Sequence, residues 1–255
     1  MTLGLLGGAA ALVAAFIAIE SRSRSPLLQL RIFRLRALSA ANATMAIVGA
    51  VTFSEFFLLT LYVQDVLHYS AVQSGVAFSA FALAVVVASN LAQFVVGRVG
   101  VRATLTAGLT LATISLALLT RLPVDGHYFR DLFPAFVLGG TGLGFSFVPV
   151  TIASLAGVER SDAGVASGLV NTSRQIGGAI GLAAMSTIAA SVAAGYAHAH
   201  ALAVASAPAT VSGFQTSFDV LGGLLVAAIL VTAVFLRPAR QPVEQTEVVE
   251  LQEAA

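Results

Sequence analysis

The sequence predicts an all-α integral membrane protein of seven transmembrane helices, and three observations predict it. Of 255 residues, 58% are hydrophobic and 10% charged, against about a quarter charged in a soluble domain, so this chain cannot cover a water-facing surface with its own polar groups. Leaving His aside, its charged side chains leave seven uncharged windows, at 2–19, 37–54, 66–97, 103–120, 132–158, 175–218 and 220–236, and a helix crosses ~30 Å of hydrocarbon in about 20 residues. The arginines also alternate between the intervening loops. Arg22, Arg24, Arg31, Arg34, Arg36, Arg98, Arg102, Arg160, Arg174, Arg237 and Arg240 fall on one side, and only Arg121 and Arg130 on the other.

The first window, within residues 1–20, is read as a retained transmembrane helix. A signal peptide carries positive charge before its apolar run, whereas Met1-Thr2-Leu3-Gly4 has none and the arginines follow the run. Residues 21–37 form an Arg-rich linker, expected to lie along the cytoplasmic interface with Leu27, Leu30, Ile32 and Phe33 dipping in and arginine meeting anionic headgroups. Residues 38–237 hold six further spans. The first of them is expected to run past Glu55 toward Gln64. The long window 175–218 is expected to end in a loop from Tyr196 to Thr216, with Asp65 and Asp219 as caps at the outer ends of their spans. Residues 238–255, with Glu244, Glu247, Glu250 and Glu253, read as a solvated cytoplasmic tail. Basic residues are retained inside, so seven crossings put the C-terminus in the cytoplasm and Met1 outside, in a multi-pass protein of the cell membrane. A chain that starts outside without a leader suggests that Met1 interrupts a longer architecture.

Composition excludes several functions. No block of like charge suits a nucleic-acid backbone. The chain has no Cys, hence no disulfide or thiolate metal site, and all 13 of its basic residues are Arg, so the lysine of a phosphate-binding loop is missing. An enzyme would need a convergent nucleophile, base and oxyanion group, which the spans lack. His198 and His200 have no third ligand, and neither metal nor cofactor is expected. Gly139, Gly140, Gly142 and Gly144 miss the dinucleotide spacing; the pairs Gly140/Gly144, Gly164/Gly168 and Gly177/Gly181 instead have the four-residue spacing that lets two helices approach in a bilayer.

The segment Val72-Gln73-Ser74-Gly75-Val76 recurs as Val165-Ala166-Ser167-Gly168-Leu169, 93 residues later. Three spans lie between the copies, so the second is inverted relative to the first, the trace of an inverted 3+3 repeat. The runs Pro26–Arg34 and Leu61–Ser70, and above all Asp162–Ala179 with its Asn171-Thr172-Ser173-Arg174-Gln175-Ile176-Gly177-Gly178, resemble the second half of the fourteen-span drug:proton antiporters of the major facilitator superfamily. The resemblance implies one extra helix followed by a six-helix C-terminal-type half. It also implies proton-coupled efflux of hydrophobic or cationic small molecules. The facing N-terminal half would be missing, so transport by this chain alone would be weak or absent, and the partners would be lipid, solute, protons and a complementary half or a second copy. Gly97, Arg98, Gly100 and Arg102 are similar to the family's short basic cytoplasmic loop without its acidic member, and His68 stands where relatives usually carry Gly. A non-transporting helix bundle, truncated or associating with another subunit, is the alternative.

Among single residues, Glu55 is the one acid well inside a predicted span, and an intramembrane carboxyl is costly unless it faces a cavity or a partner. Thr44, Thr52 and Tyr62 fall within about 60° of it at ~100° per residue, a polar stripe expected to line a central cleft and to serve proton uptake and release. The same acid also suits the outer third of a tilted helix reached by water. Asn171, Arg174 and Gln175 share a face at the inner end of the sixth span. They suit a gating or inter-half contact, or an arginine snorkelling to the interface beside amide anchors. Asn42 admits the same two readings.

Overall fold

A computed structural model of the chain describes residues 2–22 and 35–236. Among the described residues there are seven α-helices and no strand: α1 Thr2–Glu20, α2 Arg36–Leu61, α3 Ala71–Val99, α4 Val101–Leu119, α5 Phe133–Leu155, α6 Ala163–Ala199 and α7 Ala207–Phe235. A π-helical turn, Tyr62–Val66, prolongs α2, and a second, Tyr128–Leu132, leads into α5. Six segments are long and apolar enough to cross a membrane: Arg36–Val66, Ala71–Val99, Val101–Leu119, Tyr128–Leu155, Arg160–Ala199 and Ala207–Phe235. One more apolar helix, α1, exposes Leu12, Phe16, Ile17 and Ile19. The first span of the six does run past Glu55 and Gln64. The linker residues Arg24, Leu27, Leu30, Arg31, Ile32, Phe33 and Arg34, and the tail with Arg237, Arg240, Glu244, Glu247, Glu250 and Glu253, lie outside the described residues.

Local chemistry sets the boundaries. Ser70 opens α3 with a capping box, its hydroxyl accepting from the Gln73 N–H while its own N–H donates to Gln73 Oε1 at 2.9 Å, which satisfies two of the free ends of the helix. Between α3 and α4 only Gly100 intervenes, with φ 87, a backbone conformation open to glycine and strained for L-residues. Proline stands in the first turn of both α5 and α7, where its missing N–H costs nothing.

One expectation fails here. The stretch predicted as a loop from Tyr196 to Thr216 is mostly helical: α6 continues to Ala199 and α7 starts at Ala207. Alanine is the strongest helix former, so the Ala-rich run carries α6 on, and Pro208 starts the next helix. At 37 residues, α6 is about 55 Å long and overreaches the hydrocarbon. Because α7 begins early, Asp219 is not an end cap; it lies exposed, 12 residues beyond Ala207.

Antiparallel helices joined by short connections place the Gly100 turn and the 3-10 turn Arg160–Asp162 at one end, with Arg36, Arg98, Arg102 and Arg160. Tyr62, Tyr69, Tyr128 and Tyr196, all four tyrosines of the chain, collect at the other. The bundle thus has a basic end and a tyrosine end. The most buried helices are α2 and α5. Close approach, not apolar bulk, joins α2 to α6: a Cβ on Gly177 or Gly181 would collide with the α2 backbone at Ala46 and Ala50, and one on Gly49 with the Arg174 carbonyl. Likewise a Cβ on Gly144 would stand 2.7 Å from the Ala88 Cβ, and one on Gly140 2.8 Å from that of Ala84, both on α3. The third predicted pair behaves differently, since Gly164 and Gly168 have nothing within 4 Å and line an outward face of α6.

Candidate functional site

Glu55 is buried in the interior of the bundle. It borders a cavity of about 20 Å³ together with Thr52, Phe81, Gly139 and Ser146, enough space for one water. Oε1 of the carboxyl has no hydrogen-bond partner. The nearby hydroxyls do not supply one, because each donates elsewhere: Thr52 to the Val48 carbonyl at 2.8 Å, Ser146 to Gly142 at 2.8 Å, and Ser115 to Ala135 at 2.7 Å. Gly139 makes room for the acid, since a Cβ there would stand 3.4 Å from Oε1. Phe56, Phe78, Phe81 and Phe136 stack edge and face on the neighbouring turn, with centroids 4.9 to 6.4 Å apart. A carboxyl among apolar rings without a donor is costly to ionise, and it lies inside the bundle, where the stripe is expected to line a central cleft.

The other members of that stripe separate. Thr52 shares the cavity with Glu55. Thr44, buried with an unpartnered Oγ1, stands 11 residues toward the basic end, roughly 16 Å along the axis. Tyr62 is fully buried, and its hydroxyl donates to the Pro123 carbonyl at 2.6 Å. Gln215 on α7 donates to the neighbouring Leu122 carbonyl at 2.8 Å. Those two bonds hold the α4–α5 connection over the tyrosine end of the bundle.

Toward the basic end, Asn42 ties two helices: its Nδ2 donates to Leu38 at 2.8 Å and its Oδ1 accepts from Ser173 on α6 at 2.7 Å. Arg174 Nη2 donates to Asn171 Oδ1 at 3.1 Å, and Cζ lies 5.8 Å from the Phe53 ring centroid and 5.9 Å from that of Phe147. Arg174 and Asn171 line a cavity of about 260 Å³ with Ser167, Thr151, Ser154 and Met45, between α2, α5 and α6. Gln175 is exposed outside it. Gly97 and Arg98 are exposed at the end of α3, and Arg102 follows the Gly100 turn. Sequence reasoning missed Ser146, Gly139, Phe53 and Phe147. A signal existed for two of them: Gly139, Gly142 and Ser146 recur at helical spacing on α5, a small and polar stripe able to face an acid.

A third feature lies along α3 and α5. Leu83, Val87, Leu91, Phe129, Phe133 and Val137 wall a groove of about 990 Å³ that opens outward.

Residues 1–182 match the family model described as Major Facilitator Superfamily. The chain is 33% identical over 226 residues to the puromycin resistance protein pur8 of Streptomyces alboniger, covering 88% of this chain and 44% of the relative. It is 36% identical over 193 residues to the cephamycin export protein CmcT of Amycolatopsis lactamdurans, covering 75% and 40%. It is 30% identical over 192 residues to the multidrug resistance protein Stp of Mycobacterium tuberculosis, covering 74% and 35%. The chain therefore spans less than half the length of these relatives.

Proposed function

The chain belongs to the Major Facilitator Superfamily, a family of transporters and not of enzymes, and on that premise we propose that α2–α7 form one six-helix half of a secondary transporter that exports hydrophobic or cationic small molecules in exchange for protons. In this reading α1 is an extra helix beside the half. The basic end faces the cytoplasm, by the retention of arginine on that side, with the N-terminus outside and the C-terminus inside the cell membrane. The names of the relatives, for antibiotic resistance, export and multidrug resistance, support the direction and the solute class.

The observation that carries the reading is Glu55: a carboxyl in a membrane-crossing bundle, with an unpartnered oxygen and space beside it for one water. Such a group holds a proton while the bundle is closed and ionises once water reaches it. Alternating between those two conditions is what proton coupling requires. The wide apolar groove between α3 and α5 suits an apolar solute, whose binding depends on shape more than on fixed polar contacts.

Alternating access rocks one bundle against another around a midplane site, so the mechanism calls for a facing bundle, a complementary half or a second copy. The outward face of α6 suits that contact. Gly164, Gly168, Asn171, Thr172 and Gln175 are exposed there, a small and polar stretch that gives way to the exposed Ile176 and Ile180.

Reconstitution into vesicles with an imposed pH gradient tests the proposal. Efflux of a lipophilic cationic dye is expected when a facing bundle is present, and is expected to stop on collapse of the gradient and in Glu55→Gln. Dye efflux unchanged by either treatment would remove Glu55 and protons from the mechanism. No efflux with any facing bundle would favour the non-transporting helix bundle.

A further inference from the structure

We propose that the cavity between α2, α5 and α6 is a subsite for the carboxylate of a small solute, with Arg174 as its single charge. It deepens the transport reading by adding anionic and zwitterionic solutes to the hydrophobic and cationic ones.

Four observations lead to it. Arg174 lies 11 residues beyond Ala163, about 16 Å along the helix from the basic end, so its guanidinium is held within the bundle and not at the tip of a loop. Among the described residues no carboxylate stands within ion-pair distance of it; it meets the Asn171 amide oxygen and the faces of Phe53 and Phe147. Two aromatic faces and one amide hold the plane of the group and leave further N–H donors unspent. The adjoining cavity of about 260 Å³ exceeds what a carboxyl alone would fill and suits a carboxyl with a small carbon frame.

Hydrogen-bond directions define the ligand further. Thr151 and Ser154 spend their protons on the carbonyls of Phe147 and Thr151, at 2.9 and 2.7 Å, so their oxygens offer only lone pairs. Asn171 accepts through Oδ1, which leaves its Nδ2 to donate. The donors toward the cavity are therefore Arg174 and Asn171, joined by the Ser167 hydroxyl on the same lining. The pattern receives an oxyanion beside Arg174 and tolerates an N–H on the α5 side. A single guanidinium balances a single negative charge. A phosphate, carrying about −1.5 to −2 at neutral pH, would exceed the single positive charge that Arg174 supplies there.

The test uses the full chain in nanodiscs of zwitterionic lipid, titrated calorimetrically with benzoate, benzamide and benzylammonium. Benzoate is expected to bind saturably and the other two not. Arg174→Gln is expected to weaken benzoate binding by about tenfold or more, Arg174→Lys by less, because it keeps the charge and loses the fork. Asn171→Leu, which fills the cavity and leaves the guanidinium in place, is expected to weaken it as well, so the proposal does not rest on one variant's folding. Equal binding of benzamide, or benzoate affinity unchanged in Arg174→Gln, would overturn the assignment. So would affinity lost at equal ionic strength in discs of anionic lipid, which would give the site to a headgroup phosphate. Absent benzoate binding together with self-association that requires Arg174 would give it to a protein carboxylate. Binding needs no transport. Benzoate binding without gradient-driven efflux therefore defeats only the export reading, and the reverse result defeats only the subsite.

Discussion

Glu55 and Arg174 are the two charged side chains held within the α2–α6 part of the bundle, and their surroundings are opposite. The acid sits beside a cavity of about 20 Å³ with an orphaned oxygen and with neighbouring hydroxyls that donate elsewhere. The base sits beside a cavity of about 260 Å³, supported by Asn171 and two phenylalanine rings. Both are reached through the same helix pair: Gly49 packs on the Arg174 carbonyl, and Glu55 follows six residues later on α2. One charge has been given a built site and the other has been denied one. A group without partners is stable only when neutral, so its charge reports whether water has entered. A group with partners keeps its charge and waits for a ligand.

The sharpest way to break this comparison is to part the helices that carry it. Gly177→Leu drives a side chain into the α2 backbone at Ala46 and is expected to cost about 3 kcal/mol or more, seen as loss of a monodisperse folded species in detergent. Gly168→Leu, on the same helix with nothing within 4 Å, is expected to change the unfolding midpoint by no more than about 0.5 kcal/mol equivalent. Equal sensitivity at the two positions would mean that the α2–α6 seam does not depend on close approach. The next largest effect is expected at the acid. Glu55→Leu replaces an unpartnered carboxyl by an apolar group of similar size and should stabilise the bundle by about 1–3 kcal/mol, raising the thermal midpoint. If instead it destabilises, Glu55 has a partner in the native membrane, and its role as a bare proton carrier fails.

How far these regions could be read in the sequence follows from what each depends on. The spans were legible because hydrocarbon admits few charges over a fixed length, and Glu55 stood out for the same reason. Its direction was not legible: a stripe with Thr44, Thr52 and Tyr62 is equally compatible with a cleft and with an interior, and only the packing of α3, α5 and α7 against α2 decides it. Helix ends in alanine-rich sequence were poorly legible, which is why α6 and α7 extend into the stretch expected to be a loop and why Asp219 lies within its helix. Glycine spacing identified two real contacts, Gly140/Gly144 and Gly177/Gly181, and one outward face, Gly164/Gly168, since spacing marks a surface able to approach another and not whether a neighbour is there. The aromatic pair around Arg174 was hidden, because Phe53 and Phe147 are 94 residues apart in the chain and meet only through tertiary structure.

Smaller effects sharpen the picture at the tyrosine end, which closes over the acid. Tyr62→Phe removes the bond to the Pro123 carbonyl and is expected to cost about 1 kcal/mol. Faster hydrogen exchange is expected to be confined to the α4–α5 connection, without change near Arg174. Exchange that quickens equally at both ends would mean that the two regions open together and are not separately closed.

The smallest effect is expected at His68, the one residue between the π-helical turn and the α3 cap that carries a positive φ, 56. A left-handed backbone costs an L-residue about 1–2 kcal/mol, whereas glycine adopts it freely and loses more entropy on folding, about 0.5–1 kcal/mol. The difference predicts that His68→Gly stabilises by roughly half to one kcal/mol. A thermal midpoint that rises slightly, with benzoate binding at Arg174 unchanged, would fit a strained hinge local to the tyrosine end. A fall would mean that the imidazole, and not the backbone, is what the turn uses, and that the roof over Glu55 is held by side-chain contacts beyond Tyr62 and Gln215.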